Sequence, residues 1–238
     1  LTGGEPLVRA QLWKLIEQIV AVQGIHEVAL TTNGILLADQ AESLKQSGLR
    51  RLNVSLDALS AELFERITRR QGLEQVIAGI MAAKDVGFED IRINAVSIKG
   101  LTESEIVPLA RFAREQSLTL RFIEFMPLDA DRNWTMNQVL TGNEVQQIIN
   151  REVGALELAN QTDPLQPAVD FRYGDGQGKV GFINSVSEPF CQSCNRMRIT
   201  AEGKLRNCLF STAEWDLREL LRNGSQDEVI DQRVRDCI

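Results

Sequence analysis

Four apolar runs of β type alternate with helical stretches through the first half of this chain, and that alternation restricts the fold more than any other feature. The runs are Glu27–Thr32, Leu52–Leu56, Ile91–Ile98 and Leu118–Phe125. Between them, apolar residues recur at helical spacing over Gln11–Val22, Leu37–Ser47, Ala61–Thr68, Leu73–Val86 and Ser104–Gln116. Gly48 and Gly87 stand just past two of these helices, as C-cap glycines do. Thr102 with Glu105 has the spacing of a capping box. Strand–helix repetition of this kind forms parallel βα units. With right-handed crossovers such units close into a barrel or spread into an open doubly wound sheet, and the sequence does not choose between the two.

Both architectures place ligands at the carboxyl ends of their strands. The residues found there are Gly3-Gly4-Glu5-Pro6, Thr31-Thr32-Asn33-Gly34, Ser55-Leu56-Asp57 and Glu124-Phe125-Met126. Turn chemistry alone explains any one of these small, polar ends. Four in succession point to a binding face. After Pro127 the character changes, which divides the chain into 1–127 and 128–238. Residues 128–170 are polar and irregular, with a helical piece near Gly142–Asn150. Phe171–Ser185 carries Gly174, Gly176, Gly178 and Gly181 between short β-type runs and predicts hairpins. Trp215–Asn223 predicts a short amphipathic helix.

The second half also holds a C-x2-C-x13-C set, Cys191, Cys194 and Cys208. With no export signal in view, such spacing means metal or redox chemistry rather than disulfides. Three thiolates leave one coordination position open. Arg196 and Arg198 put fixed positive charge and forked donors beside it, which favours a substrate site over a structural clip. The stretch from Cys191 to Cys208 carries Arg196, Arg198, Lys204 and Arg206 against Glu202 alone, a balance suited to a small anion. Cys237 falls outside the spacing and reads as a free thiol. His26, the single histidine, reads as a surface residue, as do the arginines at 9, 50, 51, 69 and 70. Arg121 and Glu124 read alternatively as an ion-pair network at a strand end.

Composition excludes some partners. A net charge of −7 provides no broad basic surface for nucleic acid or acidic lipid. No run approaches the ~20 apolar residues that span a bilayer. The expectation is a protein of a reducing compartment, the cytoplasm, without nucleic acid or membrane partners.

Taken together, GGEP, TTNG, NVSLDA, RFIEFM and FCQSCNRMRIT with GKLRNCLF resemble the GTP 3′,8-cyclase family. These are radical S-adenosylmethionine (SAM) enzymes of molybdenum cofactor biosynthesis, and the resemblance runs through essentially the whole chain. It implies an α/β fold: an incomplete (β/α)6 TIM-like barrel, here lacking its first βα unit, with a C-terminal α+β cluster-binding extension. It implies SAM, a second [4Fe–4S] cluster on Cys191, Cys194 and Cys208, and an N-terminal [4Fe–4S] cluster on a CxxxCxxC loop. In the family that loop precedes the position where this chain begins. The chain is therefore expected to be a fragment, truncated at both ends and unable by itself to cleave SAM.

By position, Gly4, Glu5, Ser55 and Met126 match residues that contact SAM, with Glu5 accepting from its ammonium group. Thr31 and Arg92 match contacts to GTP. The family often has lysine at the position of Arg92, so a point charge becomes a planar fork. Arg121 is a further candidate for the triphosphate. Arg196, Met197 and Arg198 would flank the nucleotide, with the two arginines as the catalytic pair. The reaction implied is cyclisation of GTP to (8S)-3′,8-cyclo-7,8-dihydroguanosine 5′-triphosphate. The family suggests a homodimer that passes its product to cyclic pyranopterin monophosphate synthase. The competing readings are another radical SAM enzyme with an auxiliary cluster, such as a peptide maturase, and a zinc-stabilised nucleotide-binding module without catalysis.

Overall fold

The structure is a computed structural model that describes residues 1–128, 133–160 and 165–238. Two compact units divide it, Leu1–Phe190 and Cys191–Ile238. Parts of the irregular stretch expected over 128–170, namely 129–132 and 161–164, lie outside the described residues.

The first unit runs α1 (Leu12–Val20), β1 (Ala29–Thr32), α2 (Leu37–Gln46), β2 (Arg51–Ser55), α3 (Ala61–Thr68), α4 (Leu73–Asp85), β3 (Asp90–Ser97), α5 (Ile106–Glu115), β4 (Thr119–Glu124), α6 (Gly142–Glu152), β5 (Leu156–Leu158), β6 (Val169–Tyr173) and β7 (Lys179–Ile183). Its seven strands form one sheet in the order β1-β2-β3-β4-β7-β6-β5. Neighbours from β1 to β4 pair in parallel, and β7 joins β4 in parallel. The β6–β7 and β5–β6 pairs are antiparallel.

Alternation along the strands gives the sheet two different faces. Leu30, Leu52, Val54, Ile91, Ile93, Ala95, Leu120 and Phe122 are buried in one core with Ile16, Leu37, Leu44, Ile80 and Leu109 of the helices. The other face carries Thr31, Arg51, Asn53, Ser55, Arg92, Asn94 and Arg121. A doubly wound sheet is apolar on both faces because helices cover both. Helical cover on one face and a polar second face belong to a partial barrel, and this settles the choice the sequence left open.

Gly48 and Gly87 adopt φ of 90° and 86° just past α2 and α4, as expected. The hairpin expected within Phe171–Ser185 is β6–β7. The Thr102–Glu105 capping box does not form. Thr102 Oγ1 instead accepts from the Ile98 amide at 2.8 Å. The buried Glu105 carboxylate accepts from the amides of Leu59 and Ser60. The sequence division at 127/128 rests on composition. In space the sheet continues past it, and the compact units part at 190/191.

The second unit contains β8 (Arg198–Ile199), β9 (Lys204–Arg206), β10 (Trp215–Asp216), α7 (Arg218–Arg222) and α8 (Asp227–Cys237). Its strands form an antiparallel sheet in the order β10-β9-β8. The helix expected over Trp215–Asn223 is therefore strand at its start, because Trp215 and Asp216 pair with Leu205 and Lys204. The buried Leu205, Leu217 and Cys237 form the small core of this unit. Cys237 is a free thiol, and no helix among the described residues is long and apolar enough to cross a membrane.

Candidate functional site

The expected site residues fall into three groups. The first lies at the carboxyl ends of the strands. Gly3 enters the GGEP turn with φ of 144°, and a Cβ at Gly4 would meet no neighbour within 4 Å, so the backbone there is open. The Glu5 carboxylate already has three donors: the Leu7 amide at 3.0 Å, the Thr32 hydroxyl at 2.7 Å and the Asn33 amide at 2.7 Å. It pins the GGEP turn to the end of β1. Ser55 is exposed at the end of β2. Two residues on, Asp57 accepts from the Val96 amide at 2.7 Å and ties β2 to β3, and burial pushes its carboxyl above the ordinary range. Met126 follows β4 and is half-buried.

The second group lies on the polar face. Thr31, Asn53 and Arg92 are register neighbours across β1, β2 and β3, and the Asn53 amide donates to Thr31 Oγ1 at 3.2 Å. The same row continues through Thr119, Lys179 and Arg172. The next row places Ser55, Asn94, Arg121, Gly181 and Asp170 side by side. Arg92 grips Asp90 with two bonds of 2.8 and 2.7 Å. Arg121 is 8% exposed and faces Asp170 at 3.5 Å. Burial, and then the charge of Arg92, lower its pKa. The reading of Arg121 with Glu124 as an ion pair is corrected. The buried Glu124 carboxylate accepts the Val186 and Ser187 amides at 2.8 Å each, on the opposite face of the strand.

Arg51, read as surface, is only half-exposed. It pairs with Glu27 at 2.9 Å, and its Nε is buried without a partner. It belongs to the polar face with Arg92. The strand alternation Arg51, Asn53, Ser55 was the signal that could have placed it there. His26 is exposed, as expected.

The third group lies wholly in the second unit. Cys191 and Cys208 are exposed and Cys194 is half-buried, all as free thiols. Cys191 opens a short 3-10 turn, which closes with the Cys194 amide donating to its carbonyl. Arg196 Nε lies 3.3 Å from Cys194 Sγ, and the Phe210 amide lies 3.5 Å from Cys208 Sγ. Hydrogen bonds from the backbone and side chain of Arg196 lower the Cys194 thiol pKa. A lowered thiol pKa and N–H···S donors suit a thiolate ligand. The sulfurs are not gathered, however. Among the described residues no three His, Cys, Asp or Glu side chains stand close enough to hold a metal ion. Met197 is exposed, and Arg198 Nη1 donates to the Arg196 carbonyl at 3.3 Å. Glu214 accepts from both Lys204 and Arg206, which takes these two of the expected basic set into ion pairs.

A one-sided parallel sheet with its polar face and a GGEP turn at its first strand end defines a radical SAM domain. The Radical SAM superfamily model matches residues 1–113, and the model for Molybdenum Cofactor Synthesis C matches residues 118–238. The GTP 3′,8-cyclase of Rhodopirellula baltica is 47% identical over 100% of this chain and 67% of its own length. That of Pelotomaculum thermopropionicum is 41% identical over 100% of this chain and 73% of its own. The chain belongs to the GTP 3′,8-cyclase family. The fold is also that of Streptococcus suis SuiB, solved with S-adenosylmethionine bound. There the TM-score is 0.61 at 16% identity, over 96% of this chain and 54% of that one.

Proposed function

We propose that this protein serves the radical SAM-dependent cyclisation of GTP to (8S)-3′,8-cyclo-7,8-dihydroguanosine 5′-triphosphate, the first step of molybdenum cofactor biosynthesis. The observation that carries the reading is similarity along the whole chain to GTP 3′,8-cyclases, joined to a polar sheet face that holds Thr31, Arg92 and Arg121 in adjacent rows. Cys191, Cys194 and Cys208 are the residues that would hold a second [4Fe–4S] cluster as thiolates, and the cluster would supply Lewis-acidic iron for binding the substrate. SAM and its N-terminal cluster supply the radical chemistry.

The chain's own residues position the reactants. The open backbone at Gly4, with Ser55 and Met126, receives SAM at the carboxyl ends of the strands. Glu5 holds the GGEP turn in place for it. Thr31, Arg92 and Arg121 bind the nucleotide on the polar face, where buried phosphate requires several cations. Arg196, Met197 and Arg198 flank its base end, with the two arginines as the catalytic pair. Enclosing the reacting sugar away from water would protect the radical from quenching. The working protein is a cytoplasmic homodimer that hands its product to cyclic pyranopterin monophosphate synthase.

Anaerobic reconstitution with iron and sulfide, followed by metal analysis, tests the cluster assignment. About four irons per chain are expected, falling to background in the Cys191→Ala, Cys194→Ala, Cys208→Ala triple variant. Zinc in place of iron, or equal iron in both proteins, contradicts it.

A further inference from the structure

The strand ladder stops where Glu124-Phe125-Met126 begins. The last register pairs of β4 are Glu124 with Ser97 on one side and Ile123 with Ile183 on the other. The carbonyls that follow have no strand partner, and a backbone carbonyl away from water takes its donor from elsewhere. Here the donors come from three different places. The Ser185 hydroxyl lies 3.4 Å from the Glu124 carbonyl. The Trp134 indole Nε1 donates to the Phe125 carbonyl at 2.8 Å. The Leu128 amide donates to the Met126 carbonyl at 2.7 Å. Pro127 restricts Met126 further, because the residue before a proline is held to extended backbone.

Trp134 is itself anchored. The next residue opens a capping box around the short 3-10 turn Met136–Gln138, with the Thr135 amide donating to Gln138 Oε1 at 2.8 Å. The Lys99 amide donates to the Gln138 carbonyl at 2.8 Å, and the buried Val139 forms an antiparallel bridge with Ile98. The turn is thus fastened just past the end of β3. Trp134 is half-buried and belongs to neither hydrophobic core among the described residues. A tryptophan whose task is packing puts its large ring into a core. Here the contact that the geometry singles out is the N–H.

We propose that Trp134 is a positioning residue for Met126. Its indole N–H fixes the Phe125–Met126 peptide, and with it the direction from which the Met126 thioether meets a bound S-adenosyl nucleoside. The inference rests on the reading of Met126 as a SAM contact and adds to it a residue from outside the strand-end motifs. A methionine side chain has three rotatable bonds and adapts readily. A fixed backbone at its root is what confines its reach. Trp134 holds the peptide and not the ligand, so its loss acts on affinity through Met126.

Methyl NMR with methyl-labelled methionine, joined to calorimetry with S-adenosylhomocysteine and with GTP, tests this on the 238-residue chain. The altered chains are Trp134→Phe and one with benzothienylalanine at position 134, which keeps the ring shape and lacks the N–H. Met126 is assigned by the signal lost in Met126→Leu. In the parent, the Met126 methyl signal moves on adding S-adenosylhomocysteine. In both altered chains it shifts toward the position of a freely rotating methionine, and S-adenosylhomocysteine binds about tenfold more weakly. The Met81 methyl signal and the GTP affinity stay as in the parent. Movement of these two as well means a general loss of structure and overturns the positioning role. An unchanged Met126 signal or an unchanged S-adenosylhomocysteine affinity in the benzothienylalanine chain overturns the proposal and leaves the SAM reading standing. A parent Met126 signal that excess S-adenosylhomocysteine does not move overturns that reading and the proposal with it.

Discussion

Arg121 and Asp170 meet across Gly181, and only a glycine lets them. The three are register neighbours on β4, β7 and β6. A Cβ at Gly181 would lie 2.6 Å from Asp170 Oδ1 and 3.2 Å from Arg121 Cγ. The pair is thus built into the sheet rather than added at its surface. Asp170→Asn leaves the Arg121 guanidinium buried without counter-charge, and about 1–3 kcal/mol of stability is lost. Because phosphate replaces the missing carboxylate, tripolyphosphate raises the melting temperature of the variant more than that of the parent. An equal rise in both proteins counts against phosphate at Arg121.

Glu5 is a fastener for the GGEP turn. Its carboxylate takes donors from Leu7, Thr32 and Asn33. Glu5→Gln turns an amide N–H toward some of these donors and costs about 1–3 kcal/mol. Hydrogen exchange at the Leu7 and Asn33 amides accelerates while the amides of β3 keep their protection. Unchanged exchange at Asn33 contradicts this role.

Glu124 does the same at the other edge of the parallel strands. It gathers the Val186 and Ser187 amides, the Ser187 hydroxyl and, at 3.4 Å, the Gly142 amide. These bonds fix the loop after β7 to the end of β4. Glu124→Gln lowers the urea-unfolding free energy by about 2–4 kcal/mol, since donors to a buried carboxylate are left facing an amide. A loss below about 0.5 kcal/mol, the range of ordinary surface substitutions, contradicts it.

Glu144 gives the fold a defined acid sensitivity. Its bond from Lys99, and then those from the Thr141 amide and hydroxyl, hold its carboxyl at about 2, below the ordinary 4.5. The unfolded chain therefore binds more protons between these values, and stability rises with pH across them. The contribution is fully present above 4.5 and is lost as pH falls through 2. In Glu144→Gln the urea midpoint varies less steeply over that window. An identical pH profile in both proteins contradicts the assignment.

How far the sequence could be read differs by element. The alternation within β3, Asp90 to Ser97, assigns Arg92 and Asn94 to one face and Ile91 and Ile93 to the other, as found. Strand and helix periods are local properties, and they survive folding. The position of β7 between β4 and β6 was not legible, because register between distant segments leaves no local pattern. Trp215 and Asp216 carried a helical period, but pairing with β9 overrode it. Glu105 had the spacing of a cap, yet its carboxylate serves Leu59 and Ser60, far back in the chain. The C-terminal helix Asp227–Cys237 was missed because its apolar face is narrow, with only Cys237 buried.

At the site, the cysteine spacing and the strand-end motifs were plain: TTNG, the Ser55–Asp57 stretch and Glu124–Met126 stand at the ends of β1, β2 and β4, and Glu5 ties the GGEP turn to the end of β1. The cations were harder. Arg51 looked like surface, and Lys179 and Arg172 carried no motif at all. They join Arg92 only through a row of cross-strand neighbours. Conversely, the basic stretch around the cysteines loses Lys204 and Arg206 to Glu214, a residue just beyond the window in which the charge was counted.

The most direct test of the central claim is low-temperature EPR of the reconstituted, reduced chain with and without GTP. The account predicts a [4Fe–4S] signal that shifts on adding GTP and does not shift in Arg196→Ala. A cluster signal indifferent to GTP, with GTP bound elsewhere by calorimetry, would contradict it.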